Sequence, residues 1–230
     1  MKSNWKNWPV NWKNSMKQSD AALPILSYED INTRAEDFLR DHKRDNTLPV
    51  DIEAIVEFDL GLNIFPFPNL QETFDIEGFI SGDLTVIYVD EFIYYHRPAR
   101  YRFTLAHEVG HFLFHSDLIS SIHPKSVSEW KEFIVRIDDD TYEWLEWQGY
   151  TFAAAVLVPR STLKGHFAHE IKLLQPKIDY VRSKGLSNES SQDYIVNAIA
   201  TKLIGIYDVS ADVLTRRIAK ELEKGHLSFK

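Results

Sequence analysis

The sequence feature that most constrains this chain is the motif HEVGH at His107–His111, which lies within an apolar stretch. On a helix, residues four apart share a face and lie about 5–6 Å from each other. Both imidazoles can therefore reach one tetrahedral Zn²⁺, whose nitrogen ligands bind at about 2.0–2.1 Å. A buried polar group without a partner costs roughly 1–3 kcal/mol, so the apolar surroundings favour two histidines that one metal ion satisfies together.

Glu108 follows the first histidine directly and completes the pattern HExxH. This pattern is typical of metallopeptidases, in which the two histidines bind zinc and the glutamate acts as general base. The alternative interpretation is an ordinary amphipathic helix whose histidines are satisfied in the core.

Two histidines leave the coordination of zinc incomplete. One zincin pattern, HExxHxxGxxH, adds a third histidine. Here Phe114 and Asp117 occupy the positions of its glycine and third histidine. His115 lies eight residues beyond His107, a rise of about 12 Å along a helix, so we expect it to support the ligands rather than bind the same ion.

A carboxylate from a later helix can complete the site instead. Residues 142–159 read as a helix that runs to a stop at Pro159. Glu146 shares one face of this helix with the small residues Gly149 and Ala153, which permit a close approach to the motif helix. Glu146 is the favoured third ligand and Glu143, one turn earlier, is its rival. The further alternative is that both are solvated charges.

These segments carry a family resemblance. The resemblance rests on the sequence RFTLAHEVGHF at 102–112, on Glu146, and on FAA at 152–154 followed by Pro159. Together these segments resemble the ImmA/IrrE family of metallopeptidases over about residues 48–160. The resemblance implies that Glu146, six residues before FAA, is the third zinc ligand. The chain departs from the family at Gly149-Tyr150, where Ala-Asn is usual, and at Leu157-Val158, where Leu-Met is common.

The resemblance also implies a biological role. It predicts a cytoplasmic zinc endopeptidase that cleaves a helix-turn-helix transcriptional repressor, in stress response or in the regulation of mobile elements. The predicted partner is thus a protein substrate, itself a DNA-binding repressor. The alternative function is a non-catalytic module of the same shape that binds a repressor or toxin. Glu108 favours catalysis, because a binding module needs no base beside its metal.

The amino-acid composition excludes several kinds of metal site and several classes of protein. The chain has no cysteine, which excludes disulfides and thiolate metal sites and leaves histidine and carboxylate as strong ligands. It shows no signal peptide and no run of 18 apolar residues, so we expect a cytoplasmic protein without stable membrane association. A net charge of −8 opposes the phosphate contacts that drive DNA binding, so no direct nucleic acid binding is expected.

The order of predicted elements gives an α+β fold with three parts. Residues 1–26 form an arm rich in Trp and Lys that we expect to pack on the rest of the chain. The alternative is that this arm docks on a partner or on a membrane surface. Residues 27–160 form a zincin-like core, in which a short antiparallel sheet packs on the HExxH helix. Residues 161–230 form a mainly helical region, with helices at about 161–183, 190–206 and 211–223.

Local signals support this plan. Ser27 and Ser210 have the character of helix N-caps, and Pro98 fits the first turn of the HExxH helix. Strands are predicted at about 62–65, 78–80 and 84–89, with Gly82-Asp83 as a two-residue hairpin turn. The free edge of such a sheet can pair with an extended peptide substrate, and a purely structural sheet is an equally good interpretation.

Several residues have open roles. Tyr150, His166 and His169 are candidates for stabilising an oxyanion, and the sequence does not choose among them. The stretch from 120 to 140 reads as an insertion, and Asp138–Asp140 within it as solvated charges at a helix start. A helix-turn-helix rhythm over 195–218 is interpreted as helix packing, since its last helix has few basic residues.

Overall fold

The computed structural model describes residues 25–45, 47–122, 129, 138–183 and 188–229. The predictions for the N-terminal arm and for most of the insertion between 120 and 140 lie outside these residues. The predicted α+β class, with a short sheet beside the HExxH helix and a mainly helical C-terminal region, is confirmed.

The described elements follow one another in this order: α1 Tyr28–Asp41, α2 Ile52–Ala54 with a π-helical turn Ile55–Asp59, β1 Asn63–Phe67, α3 Leu70–Phe74, β2 Gly78–Ile80, β3 Val86–Asp90, α4 Glu91–His96, α5 Pro98–Ile122, α6 Asp139–Leu157, α7 Arg160–Ser183, α8 Asn188–Tyr207 and α9 Ala211–Glu223. One apolar core includes residues from Leu26 to Leu227 and continues across residue 160. The division into three parts stays a prediction.

Three helices begin where the sequence predicts a start. The Ser27 hydroxyl accepts a hydrogen bond from the Asp30 backbone N–H at 3.2 Å, and the Asp30 carboxylate accepts one from Ser27 N–H at 2.9 Å. Ser210 caps α9 in the same way, through the N–H of Val213. Asp138 caps α6 by accepting from Thr141 N–H at 3.0 Å, and its two aspartate neighbours are exposed, as predicted. Each cap satisfies a backbone donor that the first helical turn leaves free.

The sheet is mixed, not wholly antiparallel as predicted. Its strand order is β1-β3-β2; β3 runs antiparallel to β2 but parallel to β1. The reason is tertiary: after β1 the chain passes through α3 and β2, and β3 then returns between the two strands in the direction of β1.

The predicted hairpin between β2 and β3 is confirmed, but the prediction of a two-residue turn at Gly82-Asp83 is wrong. The Ser81 N–H donates to the Val86 carbonyl at 2.8 Å, so the connection comprises residues 82–85. Asp83 accounts for the longer loop, because its carboxylate accepts hydrogen bonds from both the backbone N–H and the hydroxyl of Thr85. Leu84 completes the loop in a left-handed conformation, with φ of 57°.

The long helix α5 packs against the sheet on one side and against α6 on another. Glycines make both contacts close. A Cβ atom at Gly78 on β2 would lie 2.6 Å from Thr104 Cγ2 of α5. A Cβ atom at Gly110 would lie 3.2 Å from the Cα of Gly149, so α5 and α6 cross almost backbone to backbone. The predicted close approach at Gly149 is therefore confirmed.

The C-terminal helix α9 is fixed to α1 and α7 through one buried carboxylate, that of Glu221. Arg217 Nη1 lies 2.8 Å from Glu221 Oε1, and both side chains are buried. Tyr28 on α1 donates to the same carboxylate at 2.7 Å, and Arg160 on α7 donates to it at 2.7 Å. Burial raises the pKa of Glu221, but the two arginines and Tyr28 lower it more, so the carboxylate stays charged.

We expect opposite effects from the same substitution at two helical glycines. Gly149→Ala places a methyl group 2.8 Å from His107 Cε1, and overpacking of this kind costs about 1–3 kcal/mol of stability. Gly165→Ala is the matched control, since no atom lies within 4 Å of its added Cβ. There the better helix propensity stabilises the protein by about 0.5–1 kcal/mol. Thermal unfolding of the metal-free variants measures both changes in stability. An equal gain in stability at the two positions contradicts the close crossing of α5 and α6.

Candidate metal centre

The structure brings together the three predicted ligand side chains. His107 and His111 extend from successive turns of α5, with their Nε2 atoms 2.9 Å apart. The carboxylate of Glu146 on α6 faces both, with Oε2 at 3.5 Å from His107 Nε2 and Oε1 at 3.5 Å from His111 Nε2. Ligands at about 2.0–2.1 Å around a tetrahedral ion lie roughly 3.3 Å apart. Two imidazoles and a carboxylate at this spacing fit a divalent metal ion such as zinc.

The backbone of α6 shapes this cluster. A Cβ atom at Gly149 would lie 2.9 Å from His107 Nδ1 and 3.1 Å from His111 Nε2, so glycine leaves the space that the imidazoles occupy. Both imidazoles are buried, whereas 25% of the Glu146 side chain is exposed. The cluster is thus open on the side of the carboxylate.

The rival ligand and the third histidine lie outside the cluster. Glu143 is exposed on α6, and the cluster found among the described residues contains Glu146 instead. His115 turns its Nδ1 toward the Nδ1 of His111, at 2.9 Å, on the side of that ring away from Glu146. His115 therefore contacts a candidate ligand from behind, in agreement with the sequence expectation.

Burial and charge set the protonation of these groups. Burial lowers the pKa of His107 to about 4, so its imidazole is neutral near pH 7. Burial also lowers the pKa of His111, but Glu146 and Glu108 together raise it more. Burial raises the pKa of Glu146, and the two imidazoles outweigh this effect and lower it. The cluster therefore offers a carboxylate anion beside two nitrogen donors.

Glu108 has the opposite environment from Glu146. It is only 5% exposed, and its Oε1 would lie 3.6 Å from a Cβ atom at Gly78 of β2. Burial raises its pKa to about 7, although His111 and a hydrogen bond with the Ile80 backbone act in the other direction. A carboxyl group with a pKa near neutrality can both take up and release a proton, which is the property of a general acid–base catalyst.

Two tyrosines flank Glu146 one turn away on either side. The Tyr150 ring lies 4.5 Å from the His107 ring between centroids, and 42% of the residue is exposed. Burial raises its pKa, and so does the charge of Glu146. Burial also raises the pKa of Tyr142, and the charges of Glu146 and Glu108 add to this effect. Sequence reasoning missed Tyr142, although its i−4 spacing from Glu146 is a usable signal.

The other oxyanion candidates lie on α7. His166 Nδ1 is 2.8 Å from the hydroxyl of Tyr207, a contact between α7 and α8. His169 is exposed. Within the described part of the chain, the contacts found for His166 do not include the candidate ligands or Glu108.

The described helices include none that is long and apolar enough to cross a membrane.

Comparison with known proteins agrees with the geometry. The sequence model of the IrrE N-terminal-like domain, Peptidase_M78, matches residues 57–179. The match covers more than half of the chain and includes the sheet, α5 and α6. No curated protein matches the chain significantly. The resemblance to the ImmA/IrrE metallopeptidases is confirmed, and the chain belongs to the IrrE N-terminal-like (Peptidase_M78) family of metallopeptidases.

Proposed function

We propose that this chain is a zinc-dependent endopeptidase that hydrolyses a peptide bond in a protein substrate. The observation that carries the proposal is the cluster of His107, His111 and Glu146 with the buried Glu108 beside it. Two imidazole nitrogens and one carboxylate form a ligand set of catalytic zinc sites, which keep a further position open. Family membership supports a metallopeptidase, and the donor set supports zinc as its ion.

The proposed mechanism assigns one step to each group. When bound, zinc supplies Lewis acidity that polarises the scissile carbonyl. His107, His111 and Glu146 hold the ion. Glu108 takes a proton from the attacking water and delivers it to the leaving amine. Burial raises the pKa of Glu108 above that of an exposed carboxyl group, which makes it the stronger base for the first transfer.

Tyr150 is the proposed donor to the oxyanion that forms from the substrate carbonyl. Its ring packs on the His107 ring, and its exposure lets a substrate reach it. Because its pKa is raised, the hydroxyl keeps its proton at neutral pH and can donate it in a hydrogen bond. His166 is engaged with Tyr207 instead.

The sheet offers a way to hold the substrate. β2 has β3 on one side and forms an edge of the described sheet. Its first residue, Gly78, lies against α5 near Glu108. An extended segment of a protein can add to such an edge through backbone hydrogen bonds, which places its peptide groups beside the base. We propose a DNA-binding repressor as the substrate and the cytoplasm as the location, on the strength of the family resemblance.

Glu108→Gln is expected to separate metal binding from catalysis. The amide cannot accept the proton, so cleavage should fall by at least about 100-fold, while zinc content stays at about one ion per chain. Cleavage of a panel of helix-turn-helix repressors and of unfolded casein, with zinc content determined in parallel, measures both. Glu143→Gln on the exposed side of α6 is the control and should change neither. Normal activity of Glu108→Gln contradicts its role as base.

Glu146→Ala is expected to weaken zinc binding, because it removes one of three protein ligands. Dialysis against metal-free buffer followed by determination of bound zinc measures the loss. Glu143→Ala, one turn away on the same helix, should retain the metal. If the Glu143 variant loses zinc and the Glu146 variant keeps it, the assignment of the third ligand is wrong.

Tyr150→Phe is expected to lower kcat by about 10²- to 10³-fold, the usual effect of removing an oxyanion donor. Zinc content should not change, because the ring and its packing on His107 are retained. Tyr142→Phe is the comparison on the other side of Glu146. A loss of activity in the Tyr142 variant alone transfers the role to that residue.

A further inference from the structure

Three histidines follow one another along α5 at intervals of four residues: His107, His111 and His115. Successive rings face each other through nitrogen atoms, Nε2 to Nε2 in the first pair and Nδ1 to Nδ1 in the second, each at 2.9 Å. The Nε2 of His111 faces Glu146, so its Nδ1 necessarily points away from the cluster. That atom meets His115, which is only 2% exposed.

We propose that His115 is a positioning residue that accepts a hydrogen bond from Nδ1–H of His111, and thereby keeps the Nε2 of His111 available to a metal ion. A histidine that binds metal through one ring nitrogen carries its proton on the other, and the partner of that N–H fixes the tautomer and the ring orientation. The inference rests on the proposed function, because it concerns the same zinc site.

The distance between the two Nδ1 atoms allows one proton between them. An ion held at the Nε2 of His111 would leave the proton of that imidazole on Nδ1, which points at His115. His115 would then accept this proton in a hydrogen bond at its own Nδ1.

Gln148 on α6 is the next residue that contacts His115. When His115 accepts at Nδ1, its own proton lies on Nε2. The Gln148 side chain, which is 0% exposed, is close enough to His115 to act on it as a hydrogen-bonding group. The described residues offer no hydrogen-bond partner to His115 Nε2 or to the two polar atoms of the Gln148 amide. We assign the amide oxygen of Gln148 as the acceptor of this Nε2–H.

The two candidate ligands are therefore held in different ways. His107 is held by packing, with the Gly149 backbone on one side and the Tyr150 ring on another. His111 is held by a hydrogen bond to His115, which in turn faces Gln148. Because Gln148 and Gly149 are neighbours on α6, the helix that supplies Glu146 also anchors both histidines.

Zinc affinity of two variants tests the proposal. His115→Leu removes the acceptor but fills the apolar space, whereas His115→Asn keeps an acceptor near the position of Nδ1 and leaves a cavity. We expect His115→Leu to weaken zinc binding by about 10- to 100-fold in a competition with a chelator, and His115→Asn to retain most of the affinity. Thermal unfolding of the metal-free variants should show the reverse order, with the Asn variant less stable.

This opposite order separates positioning from a merely structural role. If affinity follows stability, or if His115→Leu binds zinc as tightly as the wild type, the proposal is wrong. The Co²⁺ absorption spectrum of each loaded variant gives a further readout, because it reports the ligand geometry and does not depend on activity.

The tautomers can also be read directly in the unmodified protein. Long-range ¹H–¹⁵N correlation spectra of the zinc-loaded protein, labelled at histidine, should show His111 protonated at Nδ1 and His115 protonated at Nε2. Protonation of His115 at Nδ1 overturns the proposal, whether or not the variants fold. A wild type that binds no zinc contradicts the proposed function, whereas a zinc-loaded wild type with His115 protonated at Nδ1 contradicts the role of His115 alone.

Discussion

The site depends on the close crossing of α5 and α6. At Gly110 and Gly149 no side chain separates the two backbones, and this brings a carboxylate of one helix within 3.5 Å of two imidazoles of the other. Glycine within a helix costs roughly 1 kcal/mol relative to alanine, so two such residues at one crossing oppose the stability of both helices. Phe152 packs beside Gly110 and is completely buried, which offsets part of this loss.

The surroundings of each group then give two similar carboxyl groups different pKa values. Glu108 and Glu146 are both carboxylates near His111, yet the pKa of Glu108 is raised and that of Glu146 is lowered. Burial raises the pKa of both carboxyl groups, but Glu146 faces two imidazoles that lower its pKa more, whereas burial prevails at Glu108 beside β2. Environments that move two carboxyl groups apart are a recurrent way to divide acid–base roles within one site. The same sequence motif could not achieve this on an exposed helix.

The part of the structure that could be predicted from the sequence is the part governed by local spacing. The i, i+4 histidines, the caps at Ser27 and Ser210, and the small residue at Gly149 each express a rule that involves a few residues along the chain. The strand order could not be predicted in this way, because the parallel pairing of β1 with β3 depends on how the intervening chain returns.

The site shows the same limit. Sequence spacing left Glu143 and Glu146 as alternatives, and the crossing of α5 with α6 decides which of them faces the histidines. The approach of Gln148 to His115 likewise joins two residues that lie far apart in the sequence, and no local pattern indicates it. The roles of Tyr150 and Tyr142 depend on their place beside His107 and Glu146 in space, although both share the spacing of the metal-facing side of α6.

The buried carboxylate of Glu221 has a consequence for the order in which the protein folds. It binds Tyr28 across 193 residues of sequence and Arg160 across 61. Closing such long loops is slow compared with forming local helices. During synthesis from the N-terminus, α1 and the segment that carries the HEVGH motif emerge long before α9. The first helix therefore lacks the acceptor for its tyrosine until α9 has been made, and the polar core cannot close before that point.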